Sequence, residues 1–152
     1  MRRRALLGAM AMVLGLPMAR RVTAQPRCEA TPRDMEGPFY KPGAPRREAT
    51  GKGLLVAGVV RTAGACSPIG RARVEWWQAN PRGEYDDAHR GHLLSGPDGA
   101  YRFETNFPPP YSGRPSHVHV KVFAPGHRAL TTQIYPKRGQ TEVSFDLVVV
   151  KE

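Results

Sequence analysis

From about residue 52 onward, short runs of β-branched, aromatic and aliphatic residues alternate with clusters rich in glycine, proline, asparagine and aspartate. That alternation is the signature of strands joined by turns. Leu54–Arg61 is one run, closed by Thr62-Ala63-Gly64. Ala72–Ala79 is the next. Its period of two puts Val74, Trp76 and Gln78 on one face and Glu75 and Trp77 on the other. Pro97-Asp98-Gly99 turns the chain into Tyr101–Thr105, which Pro108-Pro109-Pro110 stops. His117–Ala124 ends at Pro125-Gly126, and Leu130–Tyr135 and Val143–Val150 complete the set. No stretch of useful length has helical periodicity. The pattern predicts an all-β fold, an antiparallel β-sandwich of about six to eight strands.

The N-terminal third reads differently. Residues 25–51 hold five prolines and little periodicity, which predicts an extended arm leading into a core at 52–152. At the start, Arg2-Arg3-Arg4 precedes an uncharged stretch from Ala5 to Ala19. As a helix, that stretch would reach about 22 Å, short of a hydrocarbon core of roughly 30 Å. A basic start, an apolar middle and a small-residue cleavage site at Val22-Thr23-Ala24 predict a signal peptide over residues 1–24. The arginines ahead of Ala5-Leu6-Leu7 resemble a twin-arginine signal. The expected location is therefore periplasmic or secreted, with no membrane span in the mature part.

Composition changes this picture only at the margins. The 152 residues carry a net charge of +10, but five arginines and no acid lie in the first 24. The remaining basic residues are scattered rather than packed into a run, with neither the stripe nor the motif of a nucleic-acid binder. Glycine (16) and proline (15) are too frequent for a helix bundle. The two cysteines, Cys28 and Cys66, are free to oxidise in an exported chain. A bridge would tie the arm to the loop before Pro68; two unrelated thiols are the alternative.

Candidate chemistry concentrates around Arg114-Pro115-Ser116-His117-Val118-His119. On a strand, His117 and His119 point to the same face and offer two imidazoles. Alone, such a pair also describes two polar residues on a wet face. Tyr111 stands just past the triple proline, and Tyr85 ends the turn Asn80–Tyr85. Phenolate oxygen is a hard donor, suited to ferric iron rather than to a soft-ligand metal. His89, His92 and His127 are expected in loops, at the surface.

Several separated segments, in order, resemble the intradiol ring-cleavage dioxygenases of the protocatechuate and catechol type. They are Glu36-Gly37-Pro38-Phe39-Tyr40, Gly70–Asn80, Gly83-Glu84-Tyr85, Asp98–Phe103, Pro110-Tyr111, Arg114–His119 and Leu130–Tyr135. The resemblance implies a prealbumin-like sandwich holding non-haem Fe(III) through Tyr85, Tyr111, His117 and His119. It implies a catechol-type substrate opened with O2 between its hydroxyl-bearing carbons, as in aromatic compound catabolism, to a cis,cis-muconate-type diacid. Tyr111 would also take up a substrate proton. Arg114 would stabilise anionic charge on the ring, and Gln133 would face the pocket. Tyr40 is expected as a pocket wall and Trp77 as packing. Only five residues separate Tyr111 from His117, fewer than in protocatechuate-type chains, so a shallower pocket is expected. A non-catalytic ligand-binding module, with or without iron, is the rival reading. Homo-oligomerisation is left open.

Overall fold

The computed structural model describes residues 27–152. The signal-peptide reading of residues 1–24 lies outside the described residues. Eight strands form two sheets: β1 (Leu54–Thr62), β2 (Arg73–Ala79), β3 (Tyr85–Leu94), β4 (Ala100–Thr105), β5 (Val118–Phe123), β6 (Leu130–Ile134), β7 (Glu142–Ser144) and β8 (Leu147–Val149). One sheet has the order β4-β1-β7, with β8 also pairing β1; the other has the order β3-β2-β5-β6. The all-β sandwich anticipated from the alternation is the observed architecture. Among the described residues no helix is long and apolar enough to cross a membrane.

The alternating residues of β2, β4 and β5 meet between the sheets. Val74, Trp76, Phe103, Val118, Val120 and Val122 are almost wholly buried there. Trp76 stacks on Phe103 at 4.2 Å, joining one sheet to the other. Its indole N–H donates to Thr50 Oγ1 at 2.9 Å, so the buried donor is satisfied.

Three features depart from the sequence reading. The run 143–150 is two strands, each parallel to β1 rather than antiparallel. Between them Phe145 and Asp146 leave the ladder. The Phe145 carbonyl lies so close to Gly58 that a β-carbon there would stand 2.0 Å away. Asp146 Oδ1 then accepts from the Val59 N–H at 2.9 Å, and Oδ2 pairs with Arg61.

The second departure is β3, which the polar sequence Tyr-Asp-Asp-Ala-His-Arg-Gly-His hides. It is an edge strand, where charged side chains are the rule because they discourage pairing with another chain. Two of the three histidines expected in surface loops are therefore elsewhere, and the third, His127, is in a loop as expected but not at the open surface. His89 and His92 lie on β3 and are half-buried, bonded to Asp86 Oδ1 (2.7 Å) and to the Ala44 carbonyl (2.6 Å). His127 is also half-buried, with its Nε2 3.0 Å from Thr62 Oγ1.

The third is the outer face of the β3-β2-β5-β6 sheet. Glu75 and Trp77 are as buried as the core face of β2, because the arm lies over them. The arm forms isolated bridges but no strand. It is fixed at one end by the disulfide Cys28–Cys66. It then bonds β8 (Thr31 N to Val148 O), β6 (Asp34 N to Thr131 O), β3 (Arg47 N to His92 O) and β4 (Thr50 N to Glu104 O), each within 3.0 Å.

Candidate metal centre and active site

Three local devices bring the site together under that arm. Asn80, buried at the end of β2, accepts from the Arg82 and Glu84 N–H groups through Oδ1 at 2.8 and 3.0 Å. With Gly83 at φ +80°, the turn delivers Tyr85 to the start of β3. Tyr111 and Arg114 face each other across a two-residue turn, bonded through both backbone N–H groups at 3.2 and 2.8 Å. Ser112 and Gly113 both have positive φ, the mirror-image turn that suits antiparallel segments. In register across the sheet, Trp77, His119 and Gln133 form one row.

The row and turns converge on one point. The Tyr85 hydroxyl lies 3.1 Å from His117 Nε2 and 3.1 Å from His119 Nε2. His117 Nδ1 is 2.8 Å from the Pro115 carbonyl. A carbonyl only accepts, so Nδ1 carries the proton and Nε2 presents its lone pair. Burial lowers the His117 pKa. Burial, with His117 beside it, takes His119 down to about 4. Both rings are therefore neutral at physiological pH. Burial and neighbouring Tyr111 push the Tyr85 phenol up to about 12, against the pull of Arg114.

His119 is held on two sides. The Trp77 ring stacks on it at 4.8 Å and 6°. Gly37, at φ +70°, lies over it, where a β-carbon would be in ordinary contact with Cε1 at 3.5 Å. Phe39 stacks on Tyr85 at 4.2 Å, and the Tyr111 ring packs edge-on against both Tyr85 (5.2 Å) and Phe39 (5.7 Å). Tyr85, Tyr111, His117 and His119 are thus brought together, three through their polar atoms and Tyr111 through its ring. Arg114 and Gln133 join them, with Arg114 Nη2 donating to Gln133 Oε1 at 2.8 Å.

Tyr40 is not where the sequence reading put it. Its ring packs on Trp77 at 5.0 Å, its hydroxyl meets Glu75 at 3.0 Å, and the Lys121 ammonium sits over its face. The arm residue that touches Tyr85 is Phe39. Sequence reasoning also passed over Tyr135 and Asp34. The Tyr135 hydroxyl donates to Asp34 Oδ2 at 2.6 Å and receives Arg114 Nη2 at 3.1 Å. That hydrogen bond holds the Asp34 carboxyl below its ordinary pKa, against a smaller opposing effect of burial. The only available signal was Tyr135's place two residues after Gln133, on the same face of a strand.

Among the described residues no three His, Cys, Asp or Glu side chains cluster closely enough to hold one ion. A metal at the histidine pair therefore needs phenolic oxygen. The geometry fits one: donors about 2.1 Å from an ion and at right angles lie about 3 Å apart, the separation of Tyr85 Oη from each imidazole nitrogen. Two neutral imidazoles and hard phenol oxygens suit ferric iron.

Comparison with known proteins gives the family. The dioxygenase family model matches residues 36–150. The chain is 37% identical over 140 residues to a hydroxyquinol 1,2-dioxygenase of Nocardioides simplex, covering 70% of this chain and 47% of the relative. It is 32% identical over 143 residues to a catechol 1,2-dioxygenase of Acinetobacter baylyi, covering 69% and 46%. The chain thus spans about half the length of these curated relatives. Among solved structures, it is similar to the dioxygenase domain of a dioxygenase–carbohydrate-binding fusion from the cellulolytic bacterium Streptomyces sp. SirexAA-E. There the TM-score is 0.74 and the identity 34%, over 82% of this chain and all of that one.

Proposed function

The chain belongs to the intradiol ring-cleavage dioxygenases, and from that premise we propose that it is an exported Fe(III) enzyme opening catechol-type rings with O2. The observation that carries the reading is the meeting of the Tyr85 hydroxyl with both imidazole nitrogens at 3.1 Å, beside the Arg114–Gln133 pair. Tyr85, Tyr111, His117 and His119 are the proposed iron ligands. Ferric iron, when bound, supplies Lewis acidity that draws electron density from a chelated catechol and so opens its ring to O2.

The rest falls to the chain itself. His117 and His119 offer lone pairs without first shedding protons, because burial keeps them neutral. Tyr111 Oη hydrogen-bonds no described residue, and we assign it, as the phenolate it would be once its own proton is lost to iron binding, to receive one phenolic proton of the substrate. Arg114 is a permanent cation that stabilises anionic charge on the ring as it opens. Phe39, stacked on Tyr85, and Gly37, against His119, keep water from that side of the site. Residues 1–24 are proposed to direct export, and the substrates to be catechol, protocatechuate or hydroxyquinol-type aromatics.

The test is oxygen uptake by iron-loaded protein with each of these three, and identification of the product. A muconate-type diacid is expected, with no yellow semialdehyde. An extradiol product or a need for Fe(II) would overturn the reading. Substrate binding without uptake would favour a non-catalytic binding module.

A further inference from the structure

Tyr135 directly follows β6, at the rim of the site. It is 44% exposed, yet its hydroxyl is engaged on three sides. It stands 2.6 Å from Asp34 Oδ2, 3.0 Å from Gln133 Oε1 and 3.1 Å from Arg114 Nη2. Counting protons fixes the roles. The phenol has one proton and a carboxylate has none, so the proton goes to Asp34. The Tyr135 oxygen is left as an acceptor toward Arg114.

Arg114 Nη2 donates to both Tyr135 Oη, at 3.1 Å, and Gln133 Oε1, at 2.8 Å. Gln133 cannot exchange its amide ends, because Nε2 already donates to the Met35 carbonyl at 2.7 Å. Two acceptors therefore grip one guanidinium nitrogen, which is why two oxygens lie 3.0 Å apart with no proton between them. A single acceptor would let the planar guanidinium swing about one hydrogen bond; the second fixes its plane. Each acceptor is in turn held by the arm, Tyr135 by Asp34 and Gln133 by Met35.

We propose that Tyr135, anchored by Asp34, is a positioning residue that orients the Arg114 guanidinium for ring opening, making the N-terminal arm a working part of the active site. The assignment rests on the dioxygenase reading for what Arg114 does, and on the hydrogen-bond geometry alone for how Arg114 is held.

The test uses Tyr135→Phe, which removes the acceptor and keeps the ring, and Asp34→Asn, which removes the charge and keeps the shape. Both should retain iron and the visible band. The kcat for the best of the three aromatic substrates should fall about 10- to 100-fold, the scale of a small misplacement of a catalytic group, with KM moved less than about threefold. In an Arg114→Ser background, Tyr135→Phe should cost nothing further, since the group it positions is gone. A readout independent of turnover is the Arg114 side-chain N–H resonance in metal-free protein, assigned by its loss in Arg114→Ser. It should be a single sharp signal in the wild type, and broadened and moved toward free arginine in both variants. Full kcat in iron-loaded Tyr135→Phe, a further loss in the Arg114→Ser background, or an unmoved resonance would each overturn the proposal. If wild type itself takes up no oxygen, the dioxygenase reading fails, and the resonance still decides whether Tyr135 and Asp34 hold Arg114.

Discussion

Removing the disulfide gives a prediction whose size follows from topology. Cys28 and Cys66 are 38 residues apart in sequence, and the closed loop contains the arm from Cys28 onward and β1. In the chain-entropy treatment, a loop of that length restricts the unfolded chain by about 4 kcal/mol at 25 °C. For a domain of this size that corresponds to a melting temperature lower by about 15 °C. The Cys28→Ala, Cys66→Ala double variant should show both in urea and thermal unfolding followed by circular dichroism. The active site should survive at 25 °C. The arm over it is held independently, by Asp34 N to Thr131 O, Thr132 Oγ1 to Pro32 O and Gln133 Nε2 to Met35 O, all within 3.0 Å. Iron content and kcat of the double variant should therefore stay within about twofold of wild type. A loss of stability below about 1 kcal/mol would refute the loop-entropy reasoning. Loss of iron at 25 °C would refute the claim that the arm is anchored downstream of Cys28.

His117→Ala should lose most of the iron and the tyrosinate-to-iron visible band, measured by metal analysis and absorbance; full occupancy would sink the ligand assignment. Gly37→Ala should cost about 1–2 kcal/mol from its left-handed backbone, read as a lower urea midpoint, because φ is +70°. Arg114→Ser should keep iron and colour but lose about 10²–10³ in turnover; equal uptake by the variant would remove its catalytic role. Burial, helped by Glu75, raises Tyr40 to about 12, so the folded state resists its ionisation more than the unfolded chain does. Its stabilising effect is complete below about pH 10 and is lost as pH rises toward 12. Tyr40→Phe should therefore show a shallower alkaline loss of stability in that window than wild type.

Local pattern was enough to specify much of this protein. Period-two alternation marks β1, β2, β4, β5 and β6 and selects their core faces, because side-chain direction on a strand depends only on the neighbouring residues. The same rule put His117 and His119 on one face, and the ordered motifs named the family. Three things had to wait for the tertiary structure. The polar edge strand β3 is stabilised by pairing with β2, and its own residues carry almost no apolar alternation. The parallel pairing of β7 and β8 with β1 depends on Gly58 leaving room for the Phe145 carbonyl. The site's far wall is built by the arm, where Gly37 and Asp34 lie about 80 and 100 positions before their partners His119 and Tyr135, and Phe39 lies more than 40 before Tyr85. Contacts across that separation arise only when the chain closes over its own sheet, and no local preference along the sequence encodes them.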